Sequence, residues 1–216
     1  MFTSNPEIEP RQSRALTAAG RIAASLLCVA LLGASNDSVA WRASLDVAGN
    51  AMPLEFTMTR AVDGKEVSEA DYRGQVVLLY FGYTNCPDVC PTTLMHAAAV
   101  LKQLRDDAKR VRILFVDVDL QRDSLPALQE YVEHFAPHVD GLRGTPEQLA
   151  AFAGRYHAGY SVNAAAAANE YQVMHSAVIY AFDGKGAARL LIPSLGNAKP
   201  DVAGIAADLR RLIAEQ

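Results

Sequence analysis

The chain has 216 residues, half of them hydrophobic, and a formal net charge of −4. That length supports one ordinary core with some chain to spare. The acidic balance argues against nucleic acid, which asks for a basic face, and no Gly-rich phosphate loop of either common type occurs.

The N-terminus accounts for the spare chain. Arg11, Arg14 and Arg21 precede an apolar run from Ile22 to Ala34, and Ser38-Val39-Ala40 resembles a small-x-small cleavage site. Residues 1–40 therefore read as a secretory signal peptide or a short uncleaved anchor, with membrane association through residues 15–34 if the segment is kept. The run is shorter than the roughly 20 residues that span a bilayer comfortably, which favours export over anchoring. Glu7 and Glu9 speak against a mitochondrial transit peptide, and Leu26-Leu27 before Cys28 lacks the small residue of a lipoprotein signal. Cleavage would leave Cys86 and Cys90 as the remaining cysteines, outside the cytoplasm in an oxidising compartment, periplasmic or on the outer face of the inner membrane.

Residues 41–52 read as an exposed leader, and 53–216 as one domain. Pro53 to Met58 alternates as a first strand would. Asp63-Gly64 is a turn signal, and Ser68 to Gly74 a short helical turn. Val76-Val77-Leu78-Leu79-Tyr80-Phe81, bounded by Gly74 and Gly82, is an unbroken apolar run and reads as a strand buried on both faces. Cys86-Pro87-Asp88-Val89-Cys90-Pro91 follows, then a helical pattern to Leu104 with Leu94, Ala97, Ala98, Leu101 and Leu104 on one stripe. Proline is accepted in the first turn of a helix but not in its interior, so Pro91 makes the helix start near Asp88 to Cys90. Both thiols then lie at a helix N-terminus, where unpaired N–H groups and the dipole favour thiolate, the form that attacks disulfides and binds metals. His96 is off the stripe and reads as a surface residue.

Val111 to Asp119 is a second buried strand ending in alternating acids. Ser124 is an N-cap for a helix through Phe135, with Pro126 in its first turn. His134 and His138 have the spacing of a helical metal pair, but Pro137 between them ends the helix, and both read as solvated. Thr145-Pro146 opens a third helix to about His157, a cation suited to the last turn. Asn163 to Asn169, with five alanines, reads as a loop. Tyr171 to Tyr180 is a strand pattern, Asp183 to Gly186 a hairpin turn, Arg189 to Ile192 the return strand, and Pro200 to Ala214 a final amphipathic helix. The order β, β–α–β, α–β–β–α predicts an α/β fold, a mixed sheet flanked by helices. A dithiol where a central strand meets a helix resembles the thioredoxin-like arrangement, and ligands collect at that sheet edge.

The thiol spacing decides between chemistries. Disulfide oxidoreductases of this fold usually carry C-x-x-C; this chain has C-x-x-x-C. The extra residue places the sulfurs about one helical turn apart, able to converge on one ion. Two thiolates select Cu(I). A candidate third ligand is His175, just ahead of the hairpin strand, at a loop where thioredoxin-like proteins ordinarily place a cis-proline; this chain has no proline between Pro146 and Pro193. On spacing alone a histidine that merely ends a strand is an equal alternative. A single structural disulfide between Cys86 and Cys90 would close only a tiny loop and remove little unfolded-state entropy.

Gly82 to Leu94 resembles the cysteine signature of the Sco/SenC family. Val118-Asp119-Leu120-Gln121-Arg122-Asp123 resembles its V-D-P-x-R-D segment, Gly141 to Thr145 another of its stretches, and Tyr171 to Tyr180 its histidine-bearing strand. The similarity runs from about Pro53 to Ile213. It implies a thioredoxin-like, membrane-associated or exported copper protein that helps assemble the copper-A centre of cytochrome c oxidase, with Cys86, Cys90 and His175 as ligands of a copper ion, Cu(I) and also Cu(II). The implied partner is the copper-A subunit or another cuproprotein, together with a thiol reductant. Two departures stand out. Met174 replaces an acid that many relatives carry before the histidine, and Leu120 replaces the proline. Asp117, Asp119, Arg122 and Asp123 read as structural. The alternative function is an enzyme, a thiol–disulfide oxidoreductase with Cys86 attacking and Cys90 resolving. Peroxide reduction by a low-pKa cysteine is a third, and leaves the other ligands unexplained. The copper reading predicts a shallow, exposed site.

Overall fold

The computed structural model describes residues 40–135, 137–162 and 173–216, with backbone alone at positions 162, 174 and 175. The signal or anchor segment lies outside the described residues except for Ala40, and the alanine-rich loop at 163–169 lies outside them entirely. Among the described residues no helix is long and apolar enough to cross a membrane.

In chain order the elements are β1 (Leu45–Asp46), β2 (Thr57–Arg60), β3 (Glu66–Ser68), β4 (Val76–Gly82), α1 (Val89–Leu104), β5 (Val111–Asp117), α2 (Leu125–Glu133), β6 (Val139–Arg143), α3 (Pro146–Arg155), β7 (Tyr160–Val162), β8 (Val173–His175), β9 (Ile179–Phe182), β10 (Ala188–Ile192) and α4 (Val202–Ala214). Eight strands form one mixed sheet in the order β1-β10-β9-β4-β5-β6-β2-β3, and β7 pairs with β8 apart from it.

The sheet is centred on the long apolar run. All seven residues of β4 are buried. It pairs in parallel with β5 from Val76 opposite Val111 to Gly82 opposite Asp117, and antiparallel with β9 on its other edge. Alternation along β4 then sends side chains to two layers. Tyr80 packs on Phe115 with ring centroids 5.8 Å apart, and Phe115 meets Tyr131 of α2 at 5.4 Å. Phe81 points the other way and meets Phe152 of α3 at 5.5 Å. Each such side chain contributes roughly 1.5–3 kcal/mol relative to exposure. α1 and α4 pack on each other, and α2 lies on β6.

The helix ends follow their local chemistry. Ser124 Oγ accepts from Ala127 N–H at 3.3 Å at the start of α2. Thr145 and Gln148 form a reciprocal capping box on α3. α3 ends with His157 at φ +50°, the Ala158 N–H bonding back to Ala153 O at 2.9 Å. That is a Schellman closure, so His157 stands past the last turn rather than in it.

Several expectations are corrected. The sequence reading has no strand at Val139–Arg143, where β6 lies. It gives a second parallel pairing, Ile113 opposite Val139 through Val116 opposite Leu142, so the central unit is β–α–β–α–β. The first strand of the domain begins at Thr57 instead of Pro53. The 41–52 stretch is more than a leader. Asp208 of α4 accepts from Arg42 N–H at 2.7 Å and Ala43 N–H at 2.9 Å, and Leu45–Asp46 then pairs with β10. The Tyr171 to Tyr180 run is two strands in two sheets, with β8 against β7 and β9 against β4. His96 is half-buried, its Nδ1 2.8 Å from Leu195 O.

Candidate metal centre

β4 ends at Gly82 and α1 begins at Val89, so six residues carry the chain from sheet to helix. The turn opens with Cys86 N–H on Tyr83 O at 3.3 Å. It closes with Cys90 N–H donating to Cys86 Sγ at 3.4 Å. The first sulfur is thus capped by a backbone donor of the helix N-terminus, as the position of Pro91 requires. Both residues are thiols and no disulfide joins them. The pair sits at the C-terminal edge of the central strands, where the site was expected.

The expected exposure is not observed. Cys86 is 7% exposed and Cys90 is 0%. Gly82 permits the close packing, since a Cβ there would meet Phe115 Cε2 at 2.5 Å and Cys90 Sγ at 3.0 Å. The hydrogen bond to Cys86, and then burial, push the Cys90 thiol well up from its ordinary value. Both causes favour the thiol form of Cys90 over its thiolate. Metal binding would have to displace the thiol proton, since a thiolate is the ligand. Burial likewise raises the Tyr80 and Tyr83 hydroxyls, with the charge on the nearby cysteines as a further cause.

Four residues read as structural from the sequence form the wall beside the thiols. Asp123 takes Thr84 N–H at 2.7 Å, the Thr84 hydroxyl at 2.6 Å and Asn85 Nδ2 at 3.3 Å. It fastens the segment before Cys86 to the loop after β5. Asp119 N–H donates to Asp117 Oδ1 at 2.8 Å, and Asp119 pairs with Arg122. Arg143 Nε stands 3.4 Å from Asp117 and 2.9 Å from Asp123 O. Burial pushes the Asp117 carboxyl up to about 8, and the Asp123 carboxylate adds to this against the pull of Arg143. None of these acids is placed with others as a metal cluster among the described residues.

His175 is the last residue of β8, and its backbone lies opposite Tyr160; its side chain lies outside the description. His134 and His138 do not share a helix, because α2 ends at Glu133. His134 Nδ1 stands 2.8 Å from Glu130 O and caps the helix end. The clamp that Asp123 places on a turn 39 residues upstream is a contact that local sequence pattern cannot reveal.

A mixed sheet flanked by helices, with two thiols between a central strand and a helix N-terminus, defines a thioredoxin-like protein. The SCO1/SenC family model matches residues 48–214, and the chain belongs to that family. Protein SCO2 homolog, mitochondrial, of Bos taurus is 41% identical over 119 residues, which is 54% of this chain and 45% of that protein. This chain spans just under half the length of that relative and of its Mus musculus counterpart. Arabidopsis thaliana ScoI with copper bound superposes with a TM-score of 0.68 at 29% identity, covering 77% of this chain and 100% of that one. Bradyrhizobium japonicum ScoI with copper bound gives 0.65 at 34% identity, over 75% and 99%.

Proposed function

We propose that the chain binds a copper ion as cargo through Cys86, Cys90 and His175 and delivers it, as Cu(I), to the copper-A site of cytochrome c oxidase or to another cuproprotein; Cu(II) is a second loaded state. The observation that carries this reading is the contact between the two cysteines at the start of α1, with Cys90 N–H on Cys86 Sγ at 3.4 Å. Family membership supports it, as do the two copper-bound relatives. The donor chemistry fits the ion. Two buried sulfurs suit a soft monovalent cation, and two thiolates leave one net negative charge where harder divalent ions would want oxygen donors. Loading requires the dithiol and releases its protons, so copper binding, pH and redox state are linked. Because both sulfurs are buried, transfer by ligand exchange begins at the side with a neutral ligand: an incoming thiol or imidazole replaces His175 first. The export signal read at the N-terminus would put this exchange outside the cytoplasm, at or near the membrane.

A second reading rests on the two free thiols standing together, with Cys90 N–H on Cys86 Sγ at 3.4 Å. Cys86, the more exposed residue, would attack a target disulfide as thiolate, and Cys90 would resolve the mixed disulfide, leaving the target reduced and a Cys86–Cys90 disulfide. The two readings separate on His175→Ala. Delivery predicts that this variant fails to metallate a copper-A acceptor while still reducing a model disulfide at the wild-type rate. If the variant metallates the acceptor normally, delivery through His175 is wrong.

A further inference from the structure

β8 ends at His175 and β9 begins at Ile179, so Ser176, Ala177 and Val178 carry the chain from the histidine strand back into the main sheet. The middle residue, Ala177, faces the dithiol helix across Gly196, which lies in the loop between β10 and α4. A Cβ on Gly196 would stand 3.2 Å from Val89 Cγ2, 3.3 Å from Thr93 Oγ1 and 3.4 Å from Ala177 Cβ. Val89 and Thr93 sit on α1 on either side of Cys90. The start of the thiol helix and the connection from His175 therefore close on one position that carries no side chain. The φ of Gly196 is not in the left-handed region, so what glycine supplies here is space.

The loop is tied to the helix. Leu195 is fully buried, and Leu195 O lies 2.8 Å from Nδ1 of His96 on α1. A carbonyl only accepts, so this Nδ1 carries the hydrogen. Asn197 N–H turns back onto Ser194 O at 2.9 Å. α1 in turn buries Cys90, Thr93 and Leu94 and packs on α4. Loop and helix thus form one unit, and the half-buried connection at Ser176 to Val178 is the part that yields when the gap is filled.

We infer that Gly196 is a positioning residue: by carrying no side chain it lets the connection after His175 close on the start of α1, and so sets how near His175 stands to Cys86 and Cys90. This rests on His175 being the third copper ligand. Ala177 follows His175 by two residues, at most about 7 Å of chain, so a displacement of one is passed to the other. A methyl at position 196 would press its neighbours apart by a small amount, and the branched side chain of valine reaches one bond further. A ligand displaced from its productive position binds more weakly even though every donor is still present.

The test is Gly196→Ala and Gly196→Val, each alone and combined with His175→Ala, in the reduced protein. Anaerobic Cu(I) competition titration reads affinity, and backbone amide NMR of the copper-free protein reads which segment has moved. The spacer predicts a graded loss of Cu(I) affinity, small for alanine and roughly three- to tenfold for valine, the cost of re-ordering about one side chain on binding. In the His175→Ala background neither change produces a further loss. Amide shifts beyond the substituted loop concentrate at Ser176 to Val178. Equal weakening in both backgrounds overturns the inference, because Gly196 would then act on the thiols or on packing generally. Wild-type affinity in a folded Gly196→Val protein overturns it too, since the loop and not the connection has given way. Should the valine variant not fold, the alanine variant decides by the same two criteria. If His175→Ala alone leaves affinity untouched, the ligand set itself fails and the spacer has no ligand to position. That result is distinct from one in which His175 matters and Gly196 does not.

Discussion

Asp123→Ala removes the fastening between the cysteine turn and the loop after β5. Three hydrogen bonds end on this 2%-exposed carboxylate: Thr84 N–H at 2.7 Å, the Thr84 hydroxyl at 2.6 Å and Asn85 Nδ2 at 3.3 Å. The two short ones are charge-assisted, worth roughly 1.5–3 kcal/mol each when one partner is deleted. The Asn85 bond is long and exposed at the donor, and adds little. Two effects reduce the sum. Thr84 is only half-buried, so water can reach its orphaned groups. Removing the charge also relieves Asp117, which shares the pocket. The net expectation is a loss of about 2–4 kcal/mol. Urea unfolding of the reduced protein, followed by far-UV circular dichroism, reads it as a midpoint lowered by about 1–2 M for a slope near 2 kcal/mol/M. Asp123→Asn keeps one oxygen but cannot accept both Thr84 donors through oxygen, and should fall between the two. If Asp123→Ala unfolds within about 0.5 kcal/mol of wild type, the clamp contributes nothing and the reasoning fails.

Gly82→Ala should destabilise by about 1–3 kcal/mol, because the new methyl enters Phe115 and the Cys90 sulfur, both fully buried; a melting temperature equal to wild type would show that the packing at the end of β4 is looser than described. Thr145→Ala breaks the α3 capping box and should cost about 1 kcal/mol by chemical denaturation. Stability should depend on pH through Asp117. Its folded value, raised by burial to about 8, lies above the unfolded 3.8, so the folded state holds the extra proton between them. This contribution is full below pH 4 and is lost as pH rises toward 8. Asp117→Asn should flatten that fall in unfolding curves measured across the range, and an unchanged slope would refute the assignment.

What could be read from the residues was local. β4 is a run too long and too apolar for anything but a doubly covered strand, and Pro91 leaves its helix one place to start. The caps at Ser124 and Thr145 are chemical statements made within four residues. β6 escaped because Val139-Asp140-Gly141-Leu142-Arg143 has no clean alternation; it is a strand because β5 and β2 lie on either side of it. Gly141, which looks like a breaker, is required there, since a Cβ would stand 2.8 Å from Leu128 Cγ. The run at Tyr171 to Tyr180 reads as one strand because periodicity reports a face and not a partner; β7 takes its first part and β4 its second. β1 has two residues, too few for any pattern; it pairs with β10, and Asp208, far along the chain, holds the stretch just before it. The cysteines themselves were legible from spacing and from proline. Their burial was not, since it depends on the packing of Phe115 from β5 and Cys90 around Gly82.

The central claim is a single copper site made by two thiols and one histidine. Anaerobic Cu(I) titration of the reduced protein against a chromophoric competitor, beside His175→Ala and Cys86→Ser, tests it most directly. The account predicts one tight equivalent, weakened by the first change and lost with the second. Loose binding that does not distinguish wild type from His175→Ala would contradict it, and would leave the dithiol as a redox pair in search of a disulfide substrate.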